Sequence, residues 1–102
     1  MTTTSSSTEL VLRVGTVTEA ELLELTESNE TKLTIDFGDE LGVRRTVVDL
    51  AMQYYPEVLL GRQVVALLHA DHTITVLGAT SDILGLTLVS PDRLLPAGTS
   101  VV

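Results

Sequence analysis

A chain of 102 residues with 44% hydrophobic side chains has the material for one domain with one core. Six Lys and Arg stand against 14 Asp and Glu, a formal charge of -8. That balance weighs against general binding of nucleic acid or anionic membrane, where basic side chains supply most of the affinity.

No cysteine is present, which excludes disulfides and thiolate metal sites. Aromatic residues make up 3% of the chain, so the core is aliphatic, and its β-branched members favour a β-rich domain over a helical bundle. Residues 1–8 are mostly Thr and Ser, without the basic and apolar regions of a signal peptide. They read as a disordered arm ahead of a single domain over 9–102. No apolar run approaches the ~18 residues of a membrane span, so the expected location is cytoplasmic, with no membrane partner.

Along residues 10–18, Leu10, Leu12 and Val14 share one face of a strand, and Gly15 suggests a bulge or sharp bend. Residues 19–30 hold five glutamates around Leu22, Leu23 and Leu25, and propensity alone makes them a helix. Residues 32–37 alternate cleanly, with Leu33, Ile35 and Phe37 on one face and Lys32, Thr34 and Asp36 on the other. Residues 38–42 supply a hairpin connection, and 43–48 a third strand.

Asp49 is placed to N-cap a helix over 50–55, which Pro56 either interrupts or restarts as the first residue of a second turn. Leu50, Tyr54, Val58 and Leu59 suit the plug of a barrel end. The unbroken apolar run 64–68 predicts a fourth strand buried on both faces. Residues 69–75 read as a loop or ragged strand edge, 81–89 as the fifth strand with a bend at Gly85, and 91–102 as an irregular tail ending in Val101 and Val102.

Catalytic signals are absent: two histidines, no spacing that points to a triad, and no Gly-rich phosphate loop. The reading is a non-enzyme without a cofactor. His69, Asp71 and His72 form one metal-like spacing, yet on a strand His72 points away from the other two, and a site needs further ligands. These residues read as a polar loop, with no metal.

The order of these parts carries a resemblance. Leu12-Arg13-Val14-Gly15-Thr16-Val17, then Lys32-Leu33-Thr34-Ile35-Asp36-Phe37-Gly38, then Tyr55-Pro56-Glu57, then Gly61-Arg62-Gln63-Val64-Val65-Ala66-Leu67-Leu68 and finally Pro91-Asp92-Arg93-Leu94-Leu95-Pro96-Ala97-Gly98-Thr99 occur along most of the chain. Together they resemble the tRNA-binding domain family, and within it the CsaA-type secretion chaperones. The resemblance implies an all-β, five-stranded OB-fold Greek-key barrel with one short helix between strands 3 and 4. It also turns residues 19–30 into a strand continuation and a loop, with the glutamates as a solvated face.

What the family implies for ligands divides. Arg13 matches its Arg-x-Gly arginine, Ser81 and Asp82 match its Ser-acid pair, and Arg44 or Arg45 lies where an OB-fold's third strand faces a ligand, with Arg62 a further cation. Against RNA, Val11 replaces the family's Asp, and residues 69–80, the expected contact loop, contain no Lys or Arg. A plain alternative is that these arginines are surface ion-pair partners of the many acids. Leu77, Ile83, Leu94 and Leu95 suit an interface or client groove, and the family implies a homodimer with Leu94, Leu95 and Val101 near its interface. The favoured reading is a chaperone-like homodimer for unfolded or export-destined polypeptides. Binding of tRNA or other RNA is the alternative, and an oligomerisation module the third.

Overall fold

Strand β1 (Val11–Leu22) runs the full length of the sheet and changes neighbours half-way along. Its first half pairs antiparallel with β4 (Gln63–Leu68), from Val11 opposite Leu68 to Thr16 opposite Gln63. Its second half pairs antiparallel with β2 (Glu30–Asp36), from Thr16 opposite Asp36 to Leu22 opposite Thr31. The computed structural model describes residues 11–23, 30–50 and 54–102; the arm expected at 1–8 and most of the glutamate-rich loop lie outside them.

The strand continuation favoured over a helix at 19–30 is present as far as Leu22. A bulge or a sharp bend was expected at Gly15; the register shift itself falls between Val17 and Glu19, where Thr18 donates its hydroxyl to the Thr34 carbonyl (3.2 Å). Gly15 has a different reason. A Cβ there would lie 2.5 Å from Ile35 Cγ2 and 2.6 Å from Phe37 Cε1, so two core side chains occupy the space a larger residue needs.

A helical turn, α1 (Gly38–Leu41), joins β2 to β3 (Val43–Asp49), which pairs antiparallel with β2 along its whole length. Asp49 ends this strand, and the helix expected over 50–55 lies largely outside the described residues; the helix described before β4 is the single turn α2 (Pro56–Leu59), with Pro56 at its first position. Leu50 and Leu59 plug the barrel, Tyr54 packs on the core edge, and Val58 faces solvent, contrary to its expected place in the plug.

The fifth barrel strand is β5 (Ile74–Val76), not residues 81–89. Those residues instead belong to a separate hairpin of β6 (Gly78–Ser81) and β7 (Gly85–Leu88). Alternation misled here because Leu86 and Leu88 pack on the core from the hairpin, giving the pattern of a barrel strand without its ladder. The barrel sheet has the order β3-β2-β1-β4-β5, and its two edges, β3 and β5, lie against each other to bring the barrel close to closure. The core is Val17, Leu33, Ile35, Phe37, Leu50, Leu59, Val64, Ala66, Leu68, Ile74 and Leu88. Val65 is buried on the opposite face from Val64 and Ala66, as the unbroken apolar run of β4 predicts.

Candidate nucleic-acid and polypeptide interface

In OB-folds the outer face of strands 2 and 3, with the flanking loops, is the usual ligand surface. Cross-strand pairing fixes what that face carries here. Asp36 lies opposite Val43, Thr34 opposite Arg45, Lys32 opposite Val47 and Glu30 opposite Asp49. On β1, Glu19 stands opposite Thr34 and Glu21 opposite Lys32. Directly paired residues share a face. The surface therefore presents the carboxylates of Glu19, Glu21, Glu30, Asp36 and Asp49 with two cations, Lys32 and Arg45, among them.

Arg44 and Arg45 are separated by the pleat. Arg45 is exposed on this outer face. Arg44 lies opposite Ile35 on the inner face and turns into the barrel mouth, where it lines a recess with Val11, Leu41, Leu68, His69 and Ala70. Its Nη1 is buried without a hydrogen-bond partner among the described residues.

The other arginines stand elsewhere. Arg13 donates from Nη1 to the Gly98 carbonyl (3.1 Å) and borders a recess formed by α1 and the tail. Arg62 lies over the Tyr54 ring, 5.4 Å from its centre, beside a third recess shared with Arg93 and the start of the tail. Three recesses hold Arg13, Arg44 and Arg62, so the fold does not gather them into one channel within the protomer. Their recorded partners are not acids. Among the described residues the salt bridge is Arg93 with Asp92 (3.6 Å), whereas Arg13 is held by a carbonyl and Arg62 by an aromatic ring.

The loop after β4 is a tight turn rather than a basic arm. His69 Nε2 is 2.8 Å from Thr75 Oγ1, and His72 adopts a left-handed φ of 74°. Asp71 Oδ1 accepts the hydroxyl (2.6 Å) and backbone N–H (3.0 Å) of Thr73. Those bonds, the hydroxyl's foremost, hold the exposed Asp71 carboxyl below its ordinary pKa. Among the described residues no group of three or more His, Cys, Asp or Glu is arranged to hold a metal ion.

Ser81 and Asp82 sit at the hairpin turn. Ser81 Oγ accepts the Leu84 N–H (2.9 Å), so its described partner is the turn itself. This turn presents Ile83, 92% exposed, and Leu84 to solvent. The tail docks on its own barrel. Gly98 N–H donates to the Val14 carbonyl, Val14 N–H to the Thr99 carbonyl and Val101 N–H to the Leu12 carbonyl, filling the edge of β1 that β2 leaves open.

Buried Gln63 clamps the tail upstream. Its Nε2 donates to the Leu95 carbonyl (2.6 Å) and to Thr16 Oγ1 (3.1 Å), and its Oε1 accepts the Leu95 N–H (2.9 Å). Leu95 and Val101 are thereby half-buried, while Leu94 is 81% exposed. A polar residue opening an apolar run was the available signal for this clamp, and sequence reasoning passed over it.

This geometry has counterparts in known proteins. Chaperone CsaA of Bacillus anthracis str. Ames is 34% identical, with 91% of each chain covered and a TM-score of 0.83. The chain belongs to the tRNA-binding domain family, among its CsaA-type members. The CsaA chaperone protein of Picrophilus torridus shares the fold over 100% of both chains, at 24% identity and a TM-score of 0.81. Methionine–tRNA ligase of Methanothrix thermoacetophila is 36% identical over 100 residues, 90% of this chain. The chain spans 14% of that protein's length. No protein-family model matches. The CsaA-type barrel thus appears here with an acidic outer face and a contact loop without Lys or Arg.

Proposed function

We propose that this CsaA-type domain is a non-catalytic binding protein whose ligands are unfolded or export-destined polypeptides, acting as a cytoplasmic homodimer. The observation that carries the reading is the outer face of β1, β2 and β3, with five carboxylates around Lys32 and Arg45. Phosphate neutralisation by basic side chains supplies the sequence-independent part of nucleic-acid affinity, and a surface of the opposite sign lacks that contribution. At physiological salt, screening over a Debye length of about 8 Å weakens distant repulsion but does not replace missing contacts.

Apolar capture has support of its own. Ile83 and Leu84 on the hairpin turn offer exposed aliphatic surface on an element anchored to the barrel. Leu94, Leu95 and Val101 remain the residues we assign to the dimer contact, and the resemblance to a protein named a chaperone supports the client class. The test is suppression of aggregation of a denatured client by excess protein. Wild type suppresses it, Ile83→Glu with Leu84→Glu does not, and no suppression by wild type refutes the reading.

RNA binding is the second reading. It is favoured by the exposed Arg62 and its Tyr54 ring beside Arg93, a cation and an aromatic face of the kind on which bases stack, and by the similarity to a methionine–tRNA ligase. A gel shift with bulk tRNA at low salt that weakens steeply as salt rises would establish it.

A further inference from the structure

A guanidinium is charged at every physiological pH, and buried polar groups are nearly always hydrogen-bonded. Arg44 breaks that pattern. Strand pairing places it on the inner face of β3, opposite Ile35, at the second residue of the strand. There its Nη1 is enclosed with no acceptor among the described residues. None of the described residues lining the recess is acidic: Val11, Leu41, Leu68 and Ala70 are apolar, and the fifth is His69.

From this recess we infer that Arg44 binds the terminal carboxylate of a polypeptide ending in an aliphatic residue. The chemistry selects the ligand in three steps. A guanidinium nitrogen without a described acceptor calls for an anion, and a carboxylate is the planar anion whose geometry matches a guanidinium. The aliphatic walls complement a Val- or Leu-type side chain attached to that anion. The volume, ≈ 250 Å³, lies below the roughly 300 Å³ at which drug-sized pockets begin, so the recess suits one residue. A phosphate fits less well, because a single cation among apolar walls leaves a dianion half-neutralised, and the chain's charge of -8 repels a polyanion behind it. The inference rests on the polypeptide reading above and gives it a point of grip: client ends as well as apolar stretches.

The full chain is titrated with acetyl-Gly-Ala-Leu as the free acid and as the C-terminal amide, read by calorimetry and by NMR shifts. The free acid binds about ten-fold or more tightly than the amide, since the distinguishing contacts are charge-assisted. Shifts centre on Leu41, Leu68 and His69. Arg44→Gln abolishes the preference, Arg44→Lys keeps part of it, and an unchanged amide spectrum outside the recess shows that both variants fold. Equal binding of acid and amide by wild type, or a preference that survives in Arg44→Gln, overturns the assignment. The aggregation assay separates the two failures. Client suppression without acid preference sinks the recess and spares the polypeptide reading, whereas acid preference without suppression sinks the wider reading.

Discussion

Replacing Gln63 by methionine keeps the length of the side chain and removes its hydrogen bonds. Three are lost: two to the backbone of Leu95 and one to Thr16 Oγ1. At about 1 kcal/mol net each they contribute about 3 kcal/mol, and the added apolar burial of methionine returns roughly 1. The expected loss is therefore about 2 kcal/mol, or a fall in Tm of about 8 °C for a domain of this size. Urea unfolding followed by circular dichroism measures the first number, at fixed protein concentration because the stability of the proposed dimer would depend on it. Hydrogen exchange supplies the local readout. The Leu95 N–H points at Gln63 Oε1 in wild type and loses its acceptor in the variant, so its exchange accelerates more than that of Gly98 or Val101, which are held by β1. A variant within about 0.5 kcal/mol of wild type, with Leu95 exchange unchanged, refutes the clamp.

Further outcomes follow from single contacts. Gly15→Ala forces a methyl into Ile35 and Phe37 and lowers stability by about 1–3 kcal/mol in the same unfolding assay. Arg44→Met removes a buried, unpartnered nitrogen and raises stability by about 1 kcal/mol, while abolishing the preference for a free acid. Thr73→Val takes the hydroxyl from Asp71, so the carboxyl's NMR midpoint moves up toward the ordinary value. The sign is that of a depressed acid: whatever Asp71 contributes to stability is present above its unfolded pKa and lost as pH falls through its folded one. Placing arginine at Ala70, Asp71 and Thr73 together supplies the cations that residues 69–80 lack, and tRNA affinity measured by gel shift rises with a steeper salt dependence. An unchanged shift shows that charge in this loop does not govern RNA binding.

Much of the scaffold is legible in local pattern. Leu33, Ile35 and Phe37 alternate as an inward face and are among the most buried side chains. The apolar run of β4 is buried on both sides, and Pro56 begins its helical turn. The misreadings share a cause. Residues 81–89 look like a barrel strand because Leu86 and Leu88 alternate toward the core, yet which strand completes a barrel depends on ladder partners far away in sequence. Gly15 suggests a bulge or a bend, and the bulge lies elsewhere; its smallness answers to Ile35 and Phe37, far away in sequence.

The sequence by itself determined the β-rich class, the net acidity and the lack of cations in the loop after β4, because composition and a two-residue period are local quantities; the family and the barrel came from the resemblance its motifs carry. Tertiary structure alone decided that Arg44 enters the mouth while Arg45 faces solvent, that Gln63 holds the tail, and that the last residues run along β1. Each of those depends on which backbone edge is left open once the strands have paired, and that is settled by the whole ladder rather than by any one segment.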